Sequence, residues 1–199
     1  MKTLLNVGCG MSNISQLKGF NNDNWKEIRF DIDKKVNPDI EGTLTDMSLV
    51  ETASVDAIYS SYNLDHIYAH EVPLALKEFY RVLNEDGFAV VRCPDIQTVC
   101  ELIAQDKYLE LLYESEIGPI YPIDVIYGNR AEIEAGNEYM AKKVGFTYSA
   151  LNASFAEAGF KSRYGGRFPL NGGELGLIAF KQKKSEEEIK KIANPIFPS

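Results

Sequence analysis

Residues 1–12 read MKTLLNVGCGMS, and Thr3-Leu4-Leu5-Asn6-Val7 is an apolar run that stops at two glycines one residue apart, Gly8 and Gly10. A short, unalternating run of this kind is expected of a strand buried on both faces of a parallel sheet. Glycine directly after it permits positive φ and leaves no Cβ between the backbone and a ligand. Taken alone, Gly8-Cys9-Gly10 serves a ligand loop and a bare tight turn equally well, so its meaning depends on the residues downstream of it.

Further apolar runs occur at residues 27–30 (EIRF), near 42–44, at 55–60 (VDAIYS) and at 88–92 (FAVVR). Between the fourth and fifth, Val72, Ala75, Leu76, Phe79 and Leu83 recur along one face of a helix, with Pro73 in its first turn. Asp95 can cap a second helix, with Ile96, Val99, Cys100 and Ile103 expected as its buried stripe. Thr147 can cap a third, with Leu151, Phe155 and Ala158 on one side, closed by Gly159. Two last strands, residues 160–168 and 174–182, flank a turn at 169–173, which predicts an antiparallel pair. Strands alternating with helices predict an α/β, doubly wound, mostly parallel sheet. The domain is expected over residues 1–184. An irregular or partly helical insertion is expected at about 115–146, and at 185–199 a charged tail that can form a short helix and need not pack. Residues 11–25, rich in asparagine, predict a curtailed first helix.

The chain has 199 residues, is 45% hydrophobic and 25% charged, and carries a net charge of −8. That length suits one domain with a full core. The negative balance gives no cationic footprint for nucleic acid or an anionic membrane. No apolar stretch approaches a membrane span. Cys9, Cys93 and Cys100 form no CxxC pair, and with only His66 and His70 no metal-ligand spacing arises. Reduced thiols and the absence of a secretory segment predict a cytoplasmic protein.

Asp31 ends the second strand, where a doubly wound sheet places an acid to accept hydrogen bonds from a ribose diol. Asp33 competes for that role, and either residue is also suited to an exposed strand end or a helix cap. Asp46, in Thr45-Asp46-Met47 after the third run, can accept from an adenine amino group while a neighbouring N–H donates to the ring, or can be a plain turn residue. A dinucleotide fingerprint needs a third glycine where this chain has Asn13. A nucleoside without phosphates therefore fits better than NAD.

In order and spacing, LLNVGCG, the acid of RFDID, TLTDM, VDAIYSSYNLDHI and LKEFYRVLNEDGFAVVRCPD resemble the class I S-adenosylmethionine-dependent methyltransferases. They are most similar to the methyltransferase type 11-like and small predicted groups. The similarity spans about residues 3–182. It departs from the family at Asn6, where an acid is frequent, at Ser12, where a third glycine is frequent, and at Lys142 or Lys143, where histidine is frequent. The resemblance implies a seven-stranded sheet with an antiparallel last strand, and S-adenosylmethionine as cofactor with S-adenosylhomocysteine as product. It implies that Gly8, Cys9 and Gly10 face the methionine part, Asp31 holds the ribose and Ile32 packs on adenine. Asp46 and Met47 would meet the adenine edge, and Ser61, Tyr62 and Asn63 would line the sulfonium.

The function expected is methyl transfer to a small-molecule or saccharide-type acceptor by in-line displacement. The alternative is a protein that binds the cofactor without catalysis and acts as a regulator or partner subunit. His66 is the first candidate base, followed by Tyr62, Asp65 and His70. Tyr108, Tyr113, Tyr121, Tyr127 and Tyr139 are candidates for an acceptor pocket, or for ordinary aromatic packing.

Overall fold

The first strand, β1 (Lys2–Val7), passes from exposed at Lys2 to buried over its last four residues. It lies between β2 (Trp25–Asp31) and β4 (Val55–Ser61) and runs parallel to both. Being covered on both faces is why its sequence does not alternate. The computed structural model describes residues 1–115, 118–169 and 173–197. Beside β2 lies the two-residue β3 (Ile40–Glu41), and beside β4 lies β5 (Leu83–Pro94). The sheet is completed by β8 (Ser162–Phe168) and β9 (Glu174–Phe180), in the order β3-β2-β1-β4-β5-β9-β8.

This is the expected α/β, doubly wound, mostly parallel seven-stranded sheet. β9 runs antiparallel to both β5 and β8. The last strand in the chain is therefore next to the edge of the sheet, and all seven of its residues are buried. The third strand falls at residues 40–41 rather than 42–44: Gly42 N–H makes the last ladder bond, to Asp31 O, and the chain then turns, with Asp46 N–H donating to Thr43 O. The turn expected at residues 169–173 lies largely outside the described residues.

One face of the sheet is covered by α1 (Val72–Val82) and α5 (Tyr148–Glu157). The apolar positions of α1 are buried as their spacing predicts, but Leu83 has left the helix and begins β5. Thr147 caps α5 by accepting from Ala150 N–H. The other face presents Leu4, Ala57, Tyr59, Phe88, Val90, Ile178 and Phe180. As anticipated, the β1–β2 crossover has no α-helix there, only a 3-10 turn at Ile14–Gln16. The cover comes instead from Leu17, Phe20 and α6 (Glu186–Ile196), which buries Ala193, Ile196 and the following Phe197.

The charged tail thus forms the short helix the sequence allows, and it packs, where the sequence left packing optional. A capping box starts it: Glu188 N–H donates to Ser185 Oγ, and Ser185 N–H donates to the Glu188 carboxylate. Among the described residues no helix is long and apolar enough to cross a membrane.

After β5, Asp95 caps α2 (Ile96–Ile103) by accepting from Gln97 N–H. The chain then forms a small hairpin of β6 (Tyr113–Ser115) and β7 (Gly118–Ile120), and two short helices, α3 (Pro122–Tyr127) and α4 (Arg130–Glu134). Val99, Ile120 and Val125 give this insertion its own small core.

Candidate active site

Strand order reverses between β1 and β4, and open α/β sheets bind ligands at the carboxyl ends of the strands beside such a switch point. Gly8-Cys9-Gly10 leaves β1 there, and Ser61-Tyr62-Asn63 leaves β4. Gly8 has φ +65° and Gly10 φ +51°. A Cβ on Gly8 would lie 2.0 Å from the Asn63 side-chain oxygen, whereas one on Gly10 would meet nothing within 4 Å. The first glycine is needed for close packing, and the second leaves bare backbone beside open space. Asn63 secures the junction, its Nδ2 donating to Val7 O and Ser61 O at 2.9 Å each.

The carboxylate of Asp31 points into the glycine turn. Its Oδ2 accepts from Gly10 N–H at 2.8 Å and its Oδ1 accepts from Asp33 N–H at 2.8 Å. The residue is only 8% exposed, yet each oxygen keeps acceptor capacity for a further donor. Arg29 Nη2 grips the same turn from below, donating to Gly10 O at 2.5 Å. Next to Asp31, the Ile32 side chain is 41% exposed and offers an apolar surface. Asp33 is engaged elsewhere, capping the 3-10 turn Lys34–Val36 through Lys35 N–H.

Asn13, at the position where a dinucleotide fingerprint has glycine, has φ −139° and caps the turn Ile14–Gln16. That backbone makes no demand for glycine. An adenosyl group suits this set: an acceptor-only carboxylate for a diol, an apolar shelf beside it, and an open glycine backbone.

Asp46 is exposed and accepts from Ser48 N–H at 3.0 Å. Hydrogen bonding from Ser48 holds its carboxyl below the usual range. Met47 departs from its expected place at the adenine edge. Its side chain is fully buried, its N–H donates to Glu78 Oε2 and its carbonyl accepts from Arg81 Nη2. Arg81 also donates to both Glu78 oxygens and so keeps that carboxyl below its ordinary value. The pair on α1 spends the Met47 backbone on fixing the loop.

Tyr62 also faces away from the glycine turn. Its backbone is left-handed, with φ +57°, and its hydroxyl donates to Glu174 Oε2 at 2.7 Å, across β5 on β9. Arg92 holds the other oxygen of the same buried carboxylate, from Nε at 2.8 Å and Nη2 at 2.6 Å. Of the insertion tyrosines, Tyr113 looks toward this cluster. Burial raises its phenol pKa, and the charges of Glu174, Asp124 and Asp65 add to the rise. Tyr127 and Tyr139 are exposed, and Tyr121 lies under Arg130 at 5.5 Å.

His66 Nδ1 lies 3.1 Å from Ala141 O, which ties the 3-10 turn Leu64–His66 to the insertion. His70 is exposed and stacks on Tyr68. Sequence reasoning gave no role to Glu174, Arg92 or Glu27, whose partners are remote in the chain.

The family described as "Methyltransferase domain" matches residues 5–91, from within β1 to within β5. No curated protein sequence matches the chain. Among solved structures, a Methanosarcina mazei S-adenosylmethionine-dependent methyltransferase superposes with a TM-score of 0.59 at 15% identity, over 92% of this chain and 93% of that one. The 1,6-didemethyltoxoflavin-N1-methyltransferase of Burkholderia thailandensis was solved with 1,6-didemethyltoxoflavin and S-adenosylhomocysteine. It gives 0.58 at 14% identity, over 92% and 72%. A Thermotoga maritima methyltransferase, described as a possible histamine N-methyltransferase, gives 0.57 at 13%, over 92% and 83%. The matched domain, the strand order with its reversed β9 and the glycine turn at the switch point agree, and the chain carries the fold of the class I S-adenosylmethionine-dependent methyltransferases.

Proposed function

We propose that the protein is an S-adenosylmethionine-dependent enzyme that methylates a small-molecule or saccharide-type acceptor. The observation that carries the reading is the hydrogen bond from Gly10 N–H to Asp31, which gathers glycine turn, carboxylate and Ile32 into one cradle at the switch point. The bound cofactor brings an activated methyl group of its own. The chain supplies alignment. Asp31 accepts from the ribose hydroxyls, Ile32 carries the adenine, and Asp46 stands at its edge. Gly8, Cys9 and Gly10 follow the methionine portion, with Ser61 and Asn63 beside the sulfonium and Tyr62 turned toward the acceptor.

The catalytic domain takes in residues 1–184 together with α6, which covers its second face, and the insertion of 115–146 roofs the acceptor side. The acidic balance fits a small acceptor better than nucleic acid, and the reduced cysteines fit the cytoplasm.

Calorimetry with S-adenosylmethionine, S-adenosylhomocysteine and NAD tests the cofactor. Micromolar binding of the first two and none of NAD is expected. Asp31→Ala should weaken binding at least tenfold, about 1.4 kcal/mol; unchanged affinity refutes the ribose role. Release of S-adenosylhomocysteine against a metabolite library then tests turnover. Tight binding without turnover on any acceptor would assign the non-catalytic alternative.

A further inference from the structure

We infer that Asp65 receives the acceptor's proton and that the methylated atom is the oxygen of a neutral hydroxyl. This rests on the methyltransferase reading above and names the acceptor group within it. Asp65 lies in the turn Leu64–His66 directly after β4, two residues beyond the Asn63 that closes over Gly8. It is 2% exposed. Lys142 Nζ stands 2.8 Å from its Oδ2 as an ion pair. Among the described residues, Oδ2 has that ammonium as its partner and Oδ1 has none. Buried polar atoms left in that condition are costly and uncommon.

Asp65 borders a cavity of about 20 Å³ whose other lining residues include Pro94, Ile96, Val125 and Val144. That volume takes one water-sized group. Asp65 brings the polar side chain to an otherwise apolar lining, so the group admitted is a hydrogen-bond donor on an apolar or weakly polar body.

Lys142 narrows the class further. The Asp65–Lys142 pair is already neutral. A cationic ammonium entering there would meet Lys142 with Asp65 as the acid of the lining already paired to it, and an anion would meet Asp65. Aliphatic amines are cations at neutral pH, and a thiol is a weak donor. A neutral hydroxyl satisfies the Asp65 oxygen without adding charge. As its oxygen bonds to the methyl carbon, the carbon–sulfur bond of the sulfonium breaks and its electron pair stays on sulfur. The hydroxyl proton passes to Asp65 Oδ1. An ether, a neutral thioether and a protonated Asp65 result, so atoms and charge balance.

The binding test uses 4-fluorophenol and its hydroxyl-less counterpart 4-fluoroanisole, followed by fluorine NMR on the whole protein. The wild type should bind the phenol at least fivefold more tightly. Asp65→Leu combined with Lys142→Met removes both charges and leaves no unpaired ion in the core, and it should abolish the preference. Equal binding by the wild type, or a preference surviving in the double variant, overturns the inference. If the double variant does not fold, the wild-type comparison still decides.

Asp65→Asn should bind S-adenosylhomocysteine within twofold of wild type while transfer to a hydroxyl acceptor falls about a hundredfold or more, the usual scale of general-base loss. Unaltered transfer, or turnover confined to amines, overturns it. Failure of the wild type to bind S-adenosylhomocysteine is a different result, since it would sink the methyltransferase reading while the phenol measurement stood on its own.

Discussion

The family resemblance leads to the expectation of an acid where this chain has Asn6, and the surroundings of Asn6 suit an amide. Its Nδ2 donates to Glu27 Oε1 at 2.8 Å, and Glu27 Oε2 accepts from Ile14 N–H at 3.0 Å. Two carboxylates there would repel in a poorly solvated place, so the acid has moved one strand over and anchors the turn after the glycines. Pairings of this kind are invisible in the sequence, because Asn6 and Glu27 are 21 residues apart and Tyr62 and Glu174 are 112 apart. Gly8, Gly10 and Asp31 were legible because each ends a strand whose limits the apolar runs mark. The burial of Met47 was not legible, because a buried methionine and an exposed one look alike in a turn.

The cysteines give a prediction at this scale. Burial raises the Cys9 thiol from 9.0 to about 11 and raises Cys93 well above its ordinary value, while Cys100 is exposed. A disulfide reagent at pH 8 should titrate one thiol rapidly in the native protein and all three after unfolding. The Cys9 pKa is raised in the folded state, so its stabilising share is whole below pH 9.0 and is lost as pH rises toward 11. Denaturation midpoints should fall across that window, and less steeply in Cys9→Ala.

At the scale of elements, α1 was readable because its buried positions keep helical spacing without interruption. The packing of α6 was left open because its charged residues mask the spacing of Ile189, Ile192, Ala193 and Ile196, all of which join the core of the second sheet face. Composition reports the solvent side of such a helix, while periodicity reports the packed side. Ile196→Ala should cost about 2–5 kcal/mol in urea unfolding, as truncation of a buried isoleucine does. Lys190→Ala, which removes an exposed ion pair with Glu186, should leave the midpoint in place. An unchanged midpoint for Ile196→Ala would mean that the helix does not seal that face in solution.

Over the whole molecule, the lateral order of the strands was not written in local pattern. Apolar runs reveal that strands exist; which ones are neighbours came from the family resemblance and then from the fold. The two faces share one sheet, so they are expected to unfold together. Trp25, the single tryptophan, packs on Phe20 at 5.0 Å and on Phe88 at 6.3 Å on the α6 side. Its fluorescence should therefore change at the same urea concentration as far-ultraviolet circular dichroism, which sums the helices of both faces, α1 and α5 as well as α6. Separated transitions would indicate two cooperative units.

β9, inserted between β5 and β8, also sets a timetable for synthesis. A nascent chain that has left the ribosome only as far as β5 holds that strand with an unclaimed hydrogen-bonding edge, and the edge stays unclaimed while the whole insertion is translated. Unpaired edges recruit other chains, and partly made sheets aggregate by the same attraction that later completes them. Yield of the native protein should thus depend on how quickly translation proceeds from the end of β5 to β9, and on whether a holding chaperone shields that edge meanwhile.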